Sequence, residues 1–403
     1  MFPNTPEFGS IKVKLPEKEG DIPEGLEAVL DKMGKSSETL LKLEQMYKEK
    51  YIPIGAFANL IKHDVLAVWR RMISKPDLGL RCCYGEPEER VYATSLLENK
   101  PKLIIDIISL MTLHGIQAGD FVLKAFGKLG VAQSTIDLLK QRIDEEKGIR
   151  LRGFIMLGKE GTQLTGHEIR TEEVRDYIEY LEDIIRWIEN NCEVIPCNAA
   201  LNMKAAWKRR LDEIFGRPFI DTILIASEPG NILYSDDERL RAFSKSEFNV
   251  DGVWTQIILM HCLKNNIFEK VKYNEMVVKL VCSHYYHTSV DADVLIESAR
   301  QAKWTPSQPY TTVLQILSGN KSEESSVLGV ATEFLFQLWK QPILSEQRNY
   351  LILSLLDTIT VSRISRRVLE KLISNIKRRF ILLPLAEREI LSLIEIWEKI
   401  HIT

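Results

Sequence analysis

The 403-residue chain contains no run of about 18 apolar residues free of charge, so no transmembrane helix is expected. Cysteine is sparse, six in all, and Cys82 and Cys83 are adjacent. That usage suits buried thiols in a reducing, cytoplasmic setting better than a disulfide framework. Met1 to Glu7 offer neither a basic nor an apolar leader, so no signal peptide is expected. Charge of one sign is also missing. The 53 Lys+Arg against 56 Asp+Glu leave a net charge of −3, so any nucleic-acid contact must come from a local patch. There is no phosphate-cradling Gly loop, no G-x-S-x-G elbow and no kinase signature.

What remains is ordinary globular composition, 45% hydrophobic and 27% charged, long enough for two or three domains. Residues 1–20, with Pro3, Pro6 and Pro16, read as a flexible lead. Helical spacing then takes over. Leu26, Val29, Leu30 and Met33 share one face, and Leu40 to Tyr47 and Leu60 to Trp69 continue the pattern. Leu103 to Leu110 form a short apolar run that predicts a buried parallel strand, with further strands at Leu129–Ala132 and Asn231–Ser235. Each of the latter two leads into a helix-like stretch, the first from Ser134 as a candidate N-cap. Strands alternating with helices imply a parallel sheet. The expected division is a helical region over 1–95, an α/β domain over 96–305 with a charged helical insertion at about 144–202, and a helical region over 306–403. A linker is expected near 305–327.

Acids stand at the strand ends. Asp106 interrupts Leu-Ile-Ile-Asp-Ile-Ile, where a carboxylate is costly unless it is paired, bound to metal, at an edge or capping the next turn. Asp221 lies in a second apolar segment, Phe219 to Ala226. Asp236 and Asp237 close the strand that ends at Ser235, or else form a solvated turn. Parallel sheets gather functional groups at strand C-termini, and converging carboxylates suit Mg²⁺ or Mn²⁺. Such ions activate water in phosphodiester hydrolysis.

These residues resemble the PIN domain, a nuclease fold found in toxin ribonucleases and RNA-processing enzymes. The resemblance covers roughly residues 100–305. It implies an α/β fold, a small parallel sheet with helices on both faces, flanked here by N- and C-terminal all-α regions. In the family pattern Asp106 is the first acid, Asp221 the third and Asp237 the fourth, with Ser235 as its partner and Asp236 beside it. The second acid, a Glu, would fall at Leu138, with Asp137 one residue early, and Asp212 or Glu213 could lean in. Gly252-Val253-Trp254-Thr255-Gln256 resembles large bacterial PIN domains found with helical or tetratricopeptide regions.

The resemblance therefore implies a metal-dependent nuclease acting on RNA through Mg²⁺ or Mn²⁺, with Asp106, Asp221 and Asp237 as ligands, Asp137 or a neighbour as a fourth, and Asp236 also among the candidate metal residues. The alternative is a catalytically inactive PIN-like scaffold that binds protein or nucleic acid in a larger bacterial assembly. Lys204, Lys208, Arg209 and Arg210 would steer the nucleic acid, and Arg363, Arg367, Lys371 and Arg378 would present a second basic face. The apolar stripes of the helical flanks could hold a protein partner. A third reading is a zinc-stabilised adaptor using His261, Cys262, Cys282, His284 and His287.

Overall fold

The computed structural model describes residues 10–13, 41–49, 52–150, 154–160, 163–169, 171–319, 323–361 and 363–402. The expected helix at Leu26 to Met33 lies outside them. The chain divides into two compact units, Met1–Ile267 and Phe268–Thr403.

The first unit is built on a five-stranded sheet. Its strands are β1 (Lys102–Ile105), β2 (Leu129–Ala132), β3 (Cys192–Ile195), β4 (Asn231–Tyr234) and β5 (Gly252–Val253), in the order β3-β2-β1-β4-β5. Every pairing is parallel. Leu103, Ile104, Ile105, Leu129, Val131, Leu233 and Tyr234 are all buried, because helices cover both faces. That double burial is why these strands read as unbroken apolar runs rather than as alternation. A Cβ on Gly130 would stand 2.5 Å from Ile104 and 2.6 Å from Ile195, so glycine lets the two flanking side chains close over β2.

The strand expected over 103–110 is shorter. It stops at Ile105, and a helix, Ile107–Gly115, follows at once. An apolar run cannot by itself distinguish a buried strand from a buried helix, and Asp106 is where the one becomes the other. The charged insertion at about 144–202 is not helical throughout. It contains a ribbon of Phe154–Glu160 and Gln163–Ile169, joined by Ser10–Val13 into an antiparallel sheet, so part of the expected flexible lead is a strand. It also supplies the helix α4 (Thr171–Asn191) and the edge strand β3.

The helical N-terminal region is not a separate body. Helix α1 (Ile54–Leu60) packs against a helix at Ala205–Phe215 and belongs to the first unit. A Cβ on Gly55 would lie 2.0 Å from the carbonyl oxygen of Phe215, which is why glycine occupies this crossing.

The second unit is helical, from Lys270–Cys282 through Ala292–Gln301, Glu324–Trp339, Ser345–Thr360 and Ser365–Arg379 to Pro384–His401. Residues 268–305 pack within it, so the units divide at 267 rather than near 305. The stretch expected to be a linker lies inside this unit and holds the short helix Tyr310–Leu314. No helix among the described residues is long and apolar enough to cross a membrane.

Candidate active site

In strand order the chain leaves β1 for β2 and β3, then returns to β4 on the other side of β1. The reversal makes a switch point at the carboxyl ends of β1 and β4, where α/β sheets place ligands. Asp106 follows β1, and Ser235, Asp236 and Asp237 follow β4. All four are buried, and only Asp237 keeps any exposure, 4%, so the reading of Asp236-Asp237 as a solvated turn is wrong.

Asp106 caps α2 (Ile107–Gly115): its Oδ1 accepts from the Ser109 amide at 2.7 Å, and its own amide donates to Tyr234 O at 3.0 Å. Its Oδ2 is buried without a hydrogen-bond partner. Burial pushes its pKa up to about 7, with Asp236 adding repulsion and the Ser109 and Ser235 hydrogen-bonding groups moderating the rise.

Asp236 turns away to anchor α8 (Thr255–Lys264). Its Oδ1 accepts from the Thr255 amide and its Oδ2 from the Thr255 hydroxyl, both at 2.7 Å. Burial raises its pKa as well. Asp237 caps α7 (Glu238–Phe248) through Oδ1, which accepts from Arg239 N at 3.0 Å and Leu240 N at 3.2 Å. Its Oδ2 accepts from Ile54 N at 2.6 Å, at the start of α1. Burial lifts its pKa to about 6.

Asp221 sits one turn into α6 (Arg217–Ala226), facing the helix that starts after β2, α3 (Gln133–Arg150). Its Oδ2 accepts from the Ser134 hydroxyl at 2.6 Å. Its Oδ1 pairs with Lys208 Nζ at 2.7 Å, and Lys208 also holds both oxygens of Asp212, at 2.7 and 2.8 Å.

Residues 104–246 match the family model described as the PIN domain associated with the TPR-GreAB-C-PIN system. This stretch belongs to the PIN-domain family. No curated protein and no solved structure matches the chain. The PIN match runs from β1 through α7 and takes in Asp106, Asp221, Ser235, Asp236 and Asp237.

The family's divalent metal requires several oxygen ligands around one point. As arranged here, the PIN-domain acids do not fit it. Among the described residues, no group of three or more His, Cys, Asp or Glu side chains is placed to hold a metal ion. That applies equally to the zinc reading, whose five residues are described. Asp137 is exposed on α3 and takes a hydrogen bond from Gln133 at 2.9 Å. Leu138, where the resemblance puts the family's Glu, lines a cavity of about 400 Å³ with Gly55, Arg142, Phe215 and Phe219, and none of Asp106, Asp221, Asp236 and Asp237 lines it.

The basic residues separate into two kinds. On α5 (Ala205–Phe215) and just before it, Lys204, Arg209 and Arg210 are exposed, whereas Lys208 is spent on Asp212 and Asp221. Trp207, not singled out from the sequence, is 43% exposed between them. In the second unit, Arg363 precedes the helix Ser365–Arg379 rather than extending its face. It donates to Leu317 O and Ile359 O, both at 2.9 Å. Arg367 and Lys371 pair with Glu324, while Arg378 is exposed and donates to Asn375. The residues missed from sequence are Ser134 as a ligand of Asp221, Thr255 as the anchor of Asp236, and the Ile54 amide on Asp237. The i,i+4 spacing of Lys208 and Asp212 was the one available signal that Lys208 is not free.

Proposed function

We propose that the PIN domain of this chain is catalytically silent and serves as a scaffold that binds RNA along α5. The observation that carries this reading is the internal use of the candidate carboxylates. Asp106 and Asp237 cap helices, Asp236 anchors α8, and Asp221 is paired with Lys208. The exposure of Lys204, Trp207, Arg209 and Arg210 along one helix supports the binding half. An aromatic ring among cations suits single strands, since bases stack on the ring while phosphates meet the charges.

Metal-dependent hydrolysis of RNA is the second reading, with Asp106, Asp221 and Asp237 as the Mg²⁺ or Mn²⁺ ligands. One observation favours it, the buried and unpartnered Oδ2 of Asp106. A protein partner for the helical flanks also has support, because Ile381, Leu382 and Leu385 are 74%, 88% and 73% exposed around one turn.

The test is incubation of end-labelled single-stranded RNA with the intact chain and Mn²⁺, beside Asp106→Asn and a chelator control. The scaffold reading expects retention of the RNA without cleavage, and weaker retention when Lys204, Arg209 and Arg210 are replaced by alanine. Cleavage abolished by both Asp106→Asn and the chelator would establish the nuclease instead.

A further inference from the structure

We propose that Lys208 is the resident cation of this PIN domain: its ammonium occupies the place between the Asp221 and Asp212 carboxylates and keeps divalent metal out of it. The inference deepens the scaffold reading and rests on it, but the two can fail separately. RNA cleavage judges the reading, and Mn²⁺ occupancy at Asp221 judges the cation.

The geometry is that of a small cation site with a tethered occupant. Lys208 Nζ lies 2.7 Å from Asp221 Oδ1 and 2.7 and 2.8 Å from the two oxygens of Asp212. An ammonium carries three protons to donate; it hydrogen-bonds both oxygens of Asp212 and forms an ion pair with Asp221 Oδ1. The remaining oxygen of Asp221 is closed by the Ser134 hydroxyl at 2.6 Å, with Arg217 Nε at 3.4 Å behind it. The Asp221 side chain is 10% exposed and that of Lys208 15%, so the pair is largely shielded from water.

Two carboxylates this close, without a cation, would repel each other in a poorly solvated place. A divalent ion or an ammonium removes that repulsion, and this chain supplies the ammonium itself. Burial works against the lysine's charge, but Asp212 and Asp221 outweigh it and hold its pKa above the ordinary lysine value. A strongly hydrated ion such as Mg²⁺ gives up its water reluctantly. To enter it would also have to displace a charge that is covalently attached to α5. The same contact fixes how α5 packs on α6, so Lys208 is a positioning residue as well as a counter-ion.

The experiment titrates Mn²⁺ alone into the intact chain and follows the free ion by electron paramagnetic resonance. Asp221→Asn, Lys208→Ala and the double variant run in parallel. The expected result is that Asp221→Asn leaves Mn²⁺ binding by the otherwise intact chain unchanged. Lys208→Ala gains a site at least ten-fold tighter than anything in the parent, and the double variant loses it. Asp221-dependent Mn²⁺ binding by the intact chain would overturn the proposal, as would a folded Lys208→Ala protein with no new site. Should Lys208→Ala fail to fold, recovery of its circular dichroism on adding Mn²⁺ supports the assignment, and no recovery overturns it.

Discussion

Asp106 is the residue at which chemistry and stability meet. Its carboxyl has an ordinary value of 3.8 and is pushed to about 7 by burial. The native state therefore holds this proton more tightly than the unfolded chain does. Its contribution is favourable below pH 4 and is lost as pH rises from about 4 to about 7. Three pH units correspond to an upper limit of roughly 4 kcal/mol. Asp237, lifted to about 6, acts in the same direction over a narrower window. Asp106→Asn keeps an oxygen to cap Ser109 N but carries no charge. It is expected to exceed the parent in stability at pH 5, where part of the contribution is already lost, and by a wider margin at pH 8, with the residual pH dependence owed to Asp237 and Asp236. Urea unfolding of both proteins at the two pH values checks this. An equal loss in parent and variant between pH 5 and pH 8 would contradict the assignment of that proton to Asp106.

Among the elements, the seam between α1 and α5 is the least forgiving. Gly55 lies against Phe215 O, where a Cβ would come to 2.0 Å, and Asn59 donates to Glu213 O and Ile214 O at 3.1 Å each. The start of α1 donates Ile54 N to Asp237. Gly55→Val should lift α1 from α5, lower stability by about 1–3 kcal/mol as overpacking does, and speed hydrogen exchange at Ile54. Unchanged exchange there would mean that α1 is not held by this crossing. None of this seam was legible in the sequence, since Ile54 and Asp237 are 183 residues apart. The strands β1, β2 and β4 were legible, because burial on both faces leaves a continuous apolar run. Asp106, too, was marked as a residue that either binds or caps, and it caps α2. The partners of the acids were hidden for the same reason as the seam. Ser134 reaches Asp221 across 87 residues, and no local periodicity records such a pairing.

For the molecule as a whole, a net charge of −3 offers RNA no general attraction. Binding has to draw on a local group of cations that internal acids leave free. In the second unit Glu324 takes up Arg367 and Lys371, and two carbonyls hold Arg363. In the first unit Lys208 is consumed, and Lys204, Arg209 and Arg210 remain exposed. If those three carry the phosphate contacts, single-strand affinity should follow salt with a slope near −0.7 per contact. That amounts to roughly a twenty-fold loss between 50 and 200 mM salt. Filter binding across that range measures the slope. Alanine at all three positions should flatten it, and alanine at Arg363, Arg367, Lys371 and Arg378 should leave most of it. Trp207→Ala should weaken binding at every salt concentration without changing the slope, because stacking releases no counter-ions. A slope that survives the α5 substitutions would move the RNA contact elsewhere on the chain.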